Sequence, residues 1–265
     1  MTQQNIFVEG VQFMKRLLPA SSILFLTACS SDTSSEDPVI HVAAASGLYH
    51  AFSEIGEQFE AETGTEVVFS FGSTGQFTQH IREGASYDLF AAAQESYIDQ
   101  LNEEDLIDES TRRLYAYGRI GFMYEGDIPD GMTPDYLLSD EVEQIAIANP
   151  SHAPYGMAAR QALETWGIWE EVEDKLVFGD NIRQTVQYVE SGNADTAISA
   201  LALSYETNLS FDLIDETLHE PLAQSLAVPT AGEHPEEAAQ LIEFIFSEAG
   251  RTIMESYGFT PPDED

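Results

Sequence analysis

Short apolar runs alternate with longer amphipathic stretches along most of the chain after residue 38. The apolar runs are typical of buried strands, because turn residues bound them. The amphipathic stretches repeat their apolar side chains at helical spacing. The first carries Leu48, Ala51, Phe52, Ile55 and Phe59 on one face, and Gly64 ends it. Such alternation predicts an α/β protein with parallel strands.

The pattern predicts two successive α/β units. The predicted strands are 40–45, 67–71, 87–92, 117–124, 145–148, 176–178, 196–200 and 222–228. The predicted helices are 48–63, 74–83, 94–101, 156–166, 182–190 and 236–257. The 117–124 strand is expected to leave the first unit, after which the scheme repeats.

Four strand-to-helix junctions stand out, at Ser46, Ser73, Tyr155 and Ile182. The start of a helix presents unpaired backbone N–H groups and the positive end of its dipole, which together attract an anion. None of the four junctions itself carries a lysine, an arginine or a cluster of metal ligands. The expected ligand is therefore a small oxyanion held by neutral donors.

The N-terminal segment reads as a secretion signal. Met14-Lys15-Arg16 supplies positive charge, a mostly apolar run extends from 17 to 26, and Leu26-Thr27-Ala28-Cys29 closes it. A leucine, two small residues and a cysteine resemble the bacterial lipobox, in which the cysteine is lipidated. We predict a signal peptide at 1–28 and a polar tether at 29–38, with Met1 and Met14 as alternative starts. The alternative is a partly buried helix with a buried cysteine.

Composition excludes several classes of protein. A chain of 265 residues with 43% hydrophobic content can bury one large or two modest cores. Cys29 is the single cysteine, so an internal disulfide framework and a cysteine-based zinc site are excluded. The 47 acidic and 10 basic residues, a net charge of −37, oppose binding to nucleic acid or to an anionic membrane. This excess resembles the surface of a halophilic protein, with an ordinary acidic protein as the alternative.

Enzymatic motifs are missing from the sequence. The six histidines show no H-E-x-x-H or His-x-His spacing, so a zinc site is unsupported. The Phe71-Gly72-Ser73-Thr74-Gly75 segment lacks the first glycine of a nucleophile elbow. Walker and Rossmann glycine-rich loops are absent from the sequence as well. We therefore expect a binding protein and no enzyme or cofactor.

Several segments together resemble the periplasmic molybdate-binding proteins of ABC importers. They are VAAASGLYHAF, FSFGSTGQFTQHIREGASYDLFAAA, TRRLYAYGRIGF, IAIANPSHAPYGMAARQAL, LVFGDNIRQTVQYVESGNADTAISALA and ESYGFTPP. The resemblance implies a type II periplasmic binding protein fold, α/β and two-lobed, with the ligand in the cleft between the lobes. Lobe I would comprise 39–117 and 226–265 and lobe II 118–225. The crossings would lie near 117–122 and 222–227, and the terminal helices would return to lobe I.

The resemblance also implies a function and a site. Ser46 and Ser73 match the family's oxyanion-binding serines, which offer hydroxyl and backbone N–H donors. Tyr155 and Ile182 match positions that use backbone N–H groups, with the Tyr155 phenol as a further candidate. Some members place a tyrosine where this chain has Ala200. The implied protein is a monomeric extracytoplasmic carrier in the periplasm or at the cell surface. It would be anchored by lipid at Cys29 and would deliver molybdate or tungstate to an ABC permease and its ATPase.

Other interpretations remain open at this stage. Ser46 and Ser73 could cap only their own helices, and Tyr155 could simply pack in the cleft wall. Arg160 and Arg183 lie just inside second-lobe helices and are alternative anion ligands. The protein could bind sulfate, phosphate or another oxyanion instead. It could also be an envelope sensor or adhesin that takes no part in transport.

Overall fold

The computed structural model describes residues 38–129 and 131–262. The predicted signal peptide, the lipidation site Cys29 and all but the last residue of the tether lie outside these residues. The strands are β1 (Val39–Ala45), β2 (Glu66–Gly72), β3 (Leu89–Ala92), β4 (Ile107–Gly118), β5 (Ile120–Tyr124), β6 (Ile145–Ala148), β7 (Leu176–Gly179), β8 (Thr196–Ala200), β9 (Ser210–Leu213) and β10 (Leu222–Pro229).

The helices alternate with these strands. They are α1 (Tyr49–Thr63), α2 (Thr74–Arg82), α3 (Glu95–Glu103), α4 (Pro134–Leu137), α5 (Pro154–Thr165), α6 (Trp169–Val172), α7 (Ile182–Glu190), α8 (Pro235–Ile245) and α9 (Glu248–Ser256). Throughout the described ranges, each helix is too short or too polar to cross a lipid bilayer.

Two five-stranded mixed sheets share one strand order. In the first sheet the order is β2-β1-β3-β10-β4, with β1 parallel to β2 and β3, and β10 antiparallel to both neighbours. The second sheet has the order β7-β6-β8-β5-β9, with β6 parallel to β7 and β8, and β5 antiparallel to both neighbours. The predicted two-lobed α/β fold is confirmed. We call the first sheet with α1–α3, α8 and α9 lobe I, and the second sheet with α4–α7 lobe II.

Helices pack on each sheet because their apolar faces meet its inner strands, which are buried almost throughout. Helix α1 contacts β2, and the terminal helices α8 and α9 return to pack against α1, as predicted. In lobe II, α5 and α7 pack on β6 and β8. Asp88 is buried at the start of β3, where its carboxylate accepts backbone N–H bonds from His41, Glu233 and His234. Asp88 therefore ties the start of β3 to β1 and to the segment before α8.

The chain crosses between the sheets twice, and only one crossing lies where it was predicted. Arg119 alone separates β4 in the first sheet from β5 in the second, so the first crossing is confirmed. The second crossing is the segment 214–221 between β9 and β10. The prediction of 222–227 is wrong, because β10 pairs with β4 in the first sheet from Leu222 onward. That sheet therefore begins four residues before the predicted lobe division at 225/226.

Other differences have local causes. Strand β4 begins at Ile107, ten residues before the predicted strand. Its exposed first half mixes charged and hydroxyl side chains, so the hydrophobic pattern does not mark it, but it pairs with β10. The short strand β9 was not predicted. The predicted terminal helix is two helices, because Ser247 caps α9 by accepting the Gly250 N–H through its side chain.

Candidate functional site

One small cavity of about 10 Å³ lies at the ends of strands and the starts of helices from both lobes. Its lining residues are Ala45, Ser46, Gly72, Ser73, Thr74, Ala93, Ala153, Pro154, Tyr155 and Ile182. All four predicted site residues therefore meet in one place, although 136 positions separate the first from the last. None of the lining side chains is charged. Sites for drug-sized ligands measure about 300 to 1,000 Å³, so this cavity is far too small for such a ligand.

Lobe I contributes two buried serine side chains. Ser46 follows β1 and opens a single 3₁₀ turn, and its Oγ accepts the backbone N–H of Arg183 from lobe II at 3.4 Å. Ser73 precedes α2 with an extended backbone. Neither serine caps its own helix through its side chain, so the interpretation that the two hydroxyls serve only as caps is wrong.

The Ser73 hydroxyl instead forms a contact between the lobes. Ser73 Oγ donates to the carbonyl oxygen of His152 at 2.7 Å and lies 2.8 Å from Nδ1 of the same residue. The backbone N–H of Gly75, in the first turn of α2, donates to the same carbonyl at 2.9 Å. Lobe II thus meets the N-terminus of a lobe I helix directly, which brings the two walls of the cavity together.

Lobe II contributes backbone donors. Tyr155 lies in the first turn of α5, which begins at Pro154, and Ile182 is the first residue of α7. The Asn181 side chain caps α7 by accepting the Gln184 N–H at 3.2 Å. In the described residues no acceptor lies within hydrogen-bonding distance of the Tyr155 or Ile182 N–H. Both N–H groups belong to helix starts that line the cavity, where they are suited to an anion.

The Tyr155 phenol lies against lobe I and is 2% exposed. Its hydroxyl oxygen accepts a hydrogen bond from Nε2 of Gln224 on β10 at 2.9 Å. Burial raises the pKa of Tyr155, so the phenol stays protonated and neutral. A Cβ at Gly118 would overlap both the Tyr155 hydroxyl and the Gln224 amide, so this position must be glycine for the ring to enter.

Arg183 and Arg160 do not present their guanidinium groups to the cavity. The Arg183 Cζ lies 3.5 Å from the centre of the Tyr49 ring, which places a lobe II cation on a lobe I aromatic face. Arg160 forms an exposed ion pair with Glu164 at 2.7 Å and lies over Trp169. Ala200 is buried at the end of β8 and is not among the lining residues.

Sequence reasoning missed the residues that join the two lobes around the cavity. His152, Gly75, Gln224 and Gly118 were not singled out, and their partners lie 69 or more positions away in three of the contacts. No local pattern could have identified them. No group of three or more histidine, cysteine, aspartate or glutamate side chains in the described parts of the chain is arranged to hold a metal ion.

Two lobes with a small, neutral, donor-lined cavity between them define a solute-binding protein. The chain belongs to the bacterial extracellular solute-binding protein family, whose model matches residues 40–260. Members of this family bind solutes and are not enzymes, as the sequence predicts.

Individual relatives agree with this assignment. The molybdate-binding protein ModA of Azotobacter vinelandii is 31% identical over 241 residues, which cover 88% of this chain and 93% of ModA. A solved structure of the Azotobacter vinelandii periplasmic molybdate-binding protein superposes with a TM-score of 0.80 at 24% identity, covering 84% of this chain and 100% of that one. The sulfate-binding protein SubI of Mycobacterium tuberculosis H37Rv shares the fold, with a TM-score of 0.73 at 16% identity and coverage of 85% and 88%.

Proposed function

We propose that this protein captures molybdate, and also tungstate, outside the cytoplasmic membrane and delivers it to an ABC permease with its ATPase. The observation that carries the proposal is the convergence of Ser46, Ser73, Tyr155 and Ile182 from both lobes on one uncharged cavity. A relative named as molybdate-binding that matches nearly the whole chain supports the choice of anion.

Neutral donors suffice for such an anion. Molybdate and tungstate are fully deprotonated near neutral pH, so every ligand oxygen is an acceptor and the protein needs to supply only N–H and O–H groups. The ligand would take the backbone N–H groups of Tyr155 and Ile182 together with the Ser46 hydroxyl. The Ser73 hydroxyl would exchange its bond with the His152 carbonyl for one with the anion. Selectivity would follow from cavity size, because donors fixed about 2.7 to 3.1 Å from the oxygens of one tetrahedron fit a smaller one badly.

The wider setting of the proposal comes from the sequence. Lipidation at Cys29 would anchor the monomeric protein to the membrane, and the tether 29–38 would hold its two lobes near the permease. The net charge of −37 would repel a dianion at long range, and roughly molar salt would screen that repulsion because the Debye length falls to about 3 Å. Such a surface is consistent with a protein that works in high salt.

Calorimetric titration with molybdate, tungstate, sulfate and phosphate, at low and at molar salt, tests the proposal. We expect tight binding of the first two anions, weak or no binding of the others, and faster association at high salt. A preference for sulfate or phosphate would mean that the protein binds a different oxyanion at the same site. A folded protein that binds none of the four would contradict the oxyanion function and favour a sensor or adhesin.

A further inference from the structure

Gln224 is a polar side chain with no exposed surface, and it lies between two tyrosines. Its Nε2 donates to the Tyr155 hydroxyl oxygen at 2.9 Å, and its Oε1 accepts from the Tyr115 hydroxyl at 3.1 Å. Gln224 and Tyr115 belong to strands of lobe I, whereas Tyr155 belongs to lobe II. The amide therefore connects the interior of one lobe to a cavity residue of the other.

The hydrogen bonds of Tyr115 determine which way the Gln224 amide faces. The Tyr115 hydroxyl has two neighbouring acceptors, Gln224 Oε1 at 3.1 Å and the Ala92 carbonyl oxygen at 3.3 Å. It has one hydrogen, and Gln224 Oε1 is the nearer of the two acceptors, so we take the hydrogen to lie on the amide oxygen. Burial raises the pKa of Tyr115 well above the usual value, which keeps this hydrogen in place. With Oε1 held by Tyr115, the NH₂ end of the amide faces Tyr155.

The Tyr155 hydroxyl is consequently an acceptor toward Gln224, and its own hydrogen is left for another partner. Within the residues that the structure describes, no acceptor for that hydrogen lies within hydrogen-bonding distance. The Gly118 backbone closes one side of the hydroxyl and the Gln224 amide closes another. Tyr155 lines the cavity, and a hydrogen that points away from both Gly118 and Gln224 is free to meet a ligand there.

We propose that Gln224 is a positioning residue that holds the Tyr155 hydroxyl as a donor to the bound oxyanion, with Tyr115 fixing the orientation of Gln224. The inference rests on the proposed function and deepens it. A fully deprotonated dianion accepts the Tyr155 hydrogen. If a hydrogenphosphate turned its O–H toward Tyr155, two hydrogens would face each other and no lone pair would be available to accept. This arrangement therefore disfavours protonated anions, in addition to any effect of cavity size.

A double-mutant cycle tests the proposal. Molybdate dissociation constants are measured for the unmodified protein, Tyr155→Phe, Gln224→Glu and the double variant. We expect Tyr155→Phe to weaken binding about tenfold or more, because a donor to a charged group is lost. In the Gln224→Glu protein the carboxylate accepts the Tyr155 hydrogen and turns it away from the cavity. Adding Tyr155→Phe there should therefore change binding less than about twofold.

Tyr115→Phe is the second variant, and it covers the case in which Gln224→Glu does not fold. It removes the hydroxyl that orients the amide and introduces no charge, and we expect the Tyr155→Phe effect to shrink in this background. The preference for molybdate over phosphate should fall in the same protein, a change that a merely structural role for Tyr115 would not produce. Thermal melting of each variant checks the fold.

The outcomes separate the two proposals. An equal Tyr155→Phe effect in the unmodified, Gln224→Glu and Tyr115→Phe proteins would overturn the role of Gln224 and leave the oxyanion function intact. No Tyr155→Phe effect in the unmodified protein would mean that the phenol hydrogen faces Gln224 and not the ligand. Failure of the unmodified protein to bind any of the four oxyanions would overturn the function, and the role of Gln224 with it.

Discussion

Lobe I and lobe II place equivalent strands at the cavity but make their donors in different ways. The inner strand β1 leads to Ser46 and its counterpart β6 to the loop before Tyr155, while the neighbouring edge strands β2 and β7 lead to Ser73 and Ile182. Lobe I therefore provides side-chain hydroxyls at both positions. Lobe II provides the backbone N–H groups of Tyr155 and Ile182, to which our proposal adds the Tyr155 hydroxyl.

The difference shows that one fold can build a neutral anion site in two ways. A backbone N–H at a helix start depends on the helix and hardly on the residue type, so an isoleucine serves as well as any other residue. A hydroxyl depends on the side chain itself. The two serines of lobe I should therefore be sensitive to loss of the side chain, and Ile182 of lobe II should be sensitive to loss of its N–H.

Removing both lobe I hydroxyls should have the largest effect. Each of Ser46→Ala and Ser73→Ala is expected to cost about 1 to 3 kcal/mol of anion binding, because a buried charge loses a donor. Calorimetric titration of the single and double variants with molybdate measures the loss. Unchanged affinity in the double variant would rule out this site assignment.

A proline tests the backbone donor of lobe II. Ile182 is the first residue of α7, where proline is tolerated, and Asn181 before it has an extended backbone with ψ of 171°. Ile182→Pro removes only the N–H and part of a buried side chain, and should cost about 1.5 to 3 kcal/mol of binding. Ile182→Ala is the matched control, because it loses the side chain and retains the N–H. Equal affinities for the two variants would exclude the backbone donor.

Gly75→Ala tests the contact between the lobes without touching a donor to the anion. A Cβ at this position would lie 2.6 Å from the His152 carbonyl oxygen, so the lobes would have to separate there. We expect anion binding to weaken by about 1 to 3 kcal/mol. Ligand-free lobes that separate at this contact would escape the overlap, and the protein would then gain up to about 1 kcal/mol of unfolding free energy, because alanine favours the helix.

The two measurements should therefore move in opposite directions. Thermal melting without ligand gives the stability, and calorimetry gives the affinity. If the unfolding free energy and the anion affinity both fell, Gly75 would be needed for folding and not for closure of the cavity.

Arg183→Met should have the smallest effect. Methionine retains the backbone N–H that contacts Ser46 and removes the cation from the Tyr49 ring, a contact worth about 0.5 to 2 kcal/mol. Binding should weaken by no more than this, and Arg160→Met should leave it unchanged. A loss comparable to that of the serine double variant would make Arg183 an anion ligand after all.

The accuracy of the sequence prediction differs between local and long-range features. The helix starts at Thr74 and Ile182 were predicted to the residue, because hydrophobic periodicity and turn residues determine them locally. The break at Ser247 was missed, because the apolar face continues through both terminal helices and only the cap shows the division. The crossing at 214–221 was missed because pairing with β4, and not the local pattern, places Leu222 in the first sheet.

The sequence by itself determined the alternation of strands and helices, the four junctions with their neutral donors, and the two-lobed class of fold. These features depend on spacing and residue type within short windows. Only the tertiary structure decided that the four junctions share one cavity, that Ser73 contacts His152, and that Gln224 donates to the Tyr155 hydroxyl oxygen. Those contacts join residues about 70 or more positions apart, and their geometry follows from how two sheets and two crossing segments pack together.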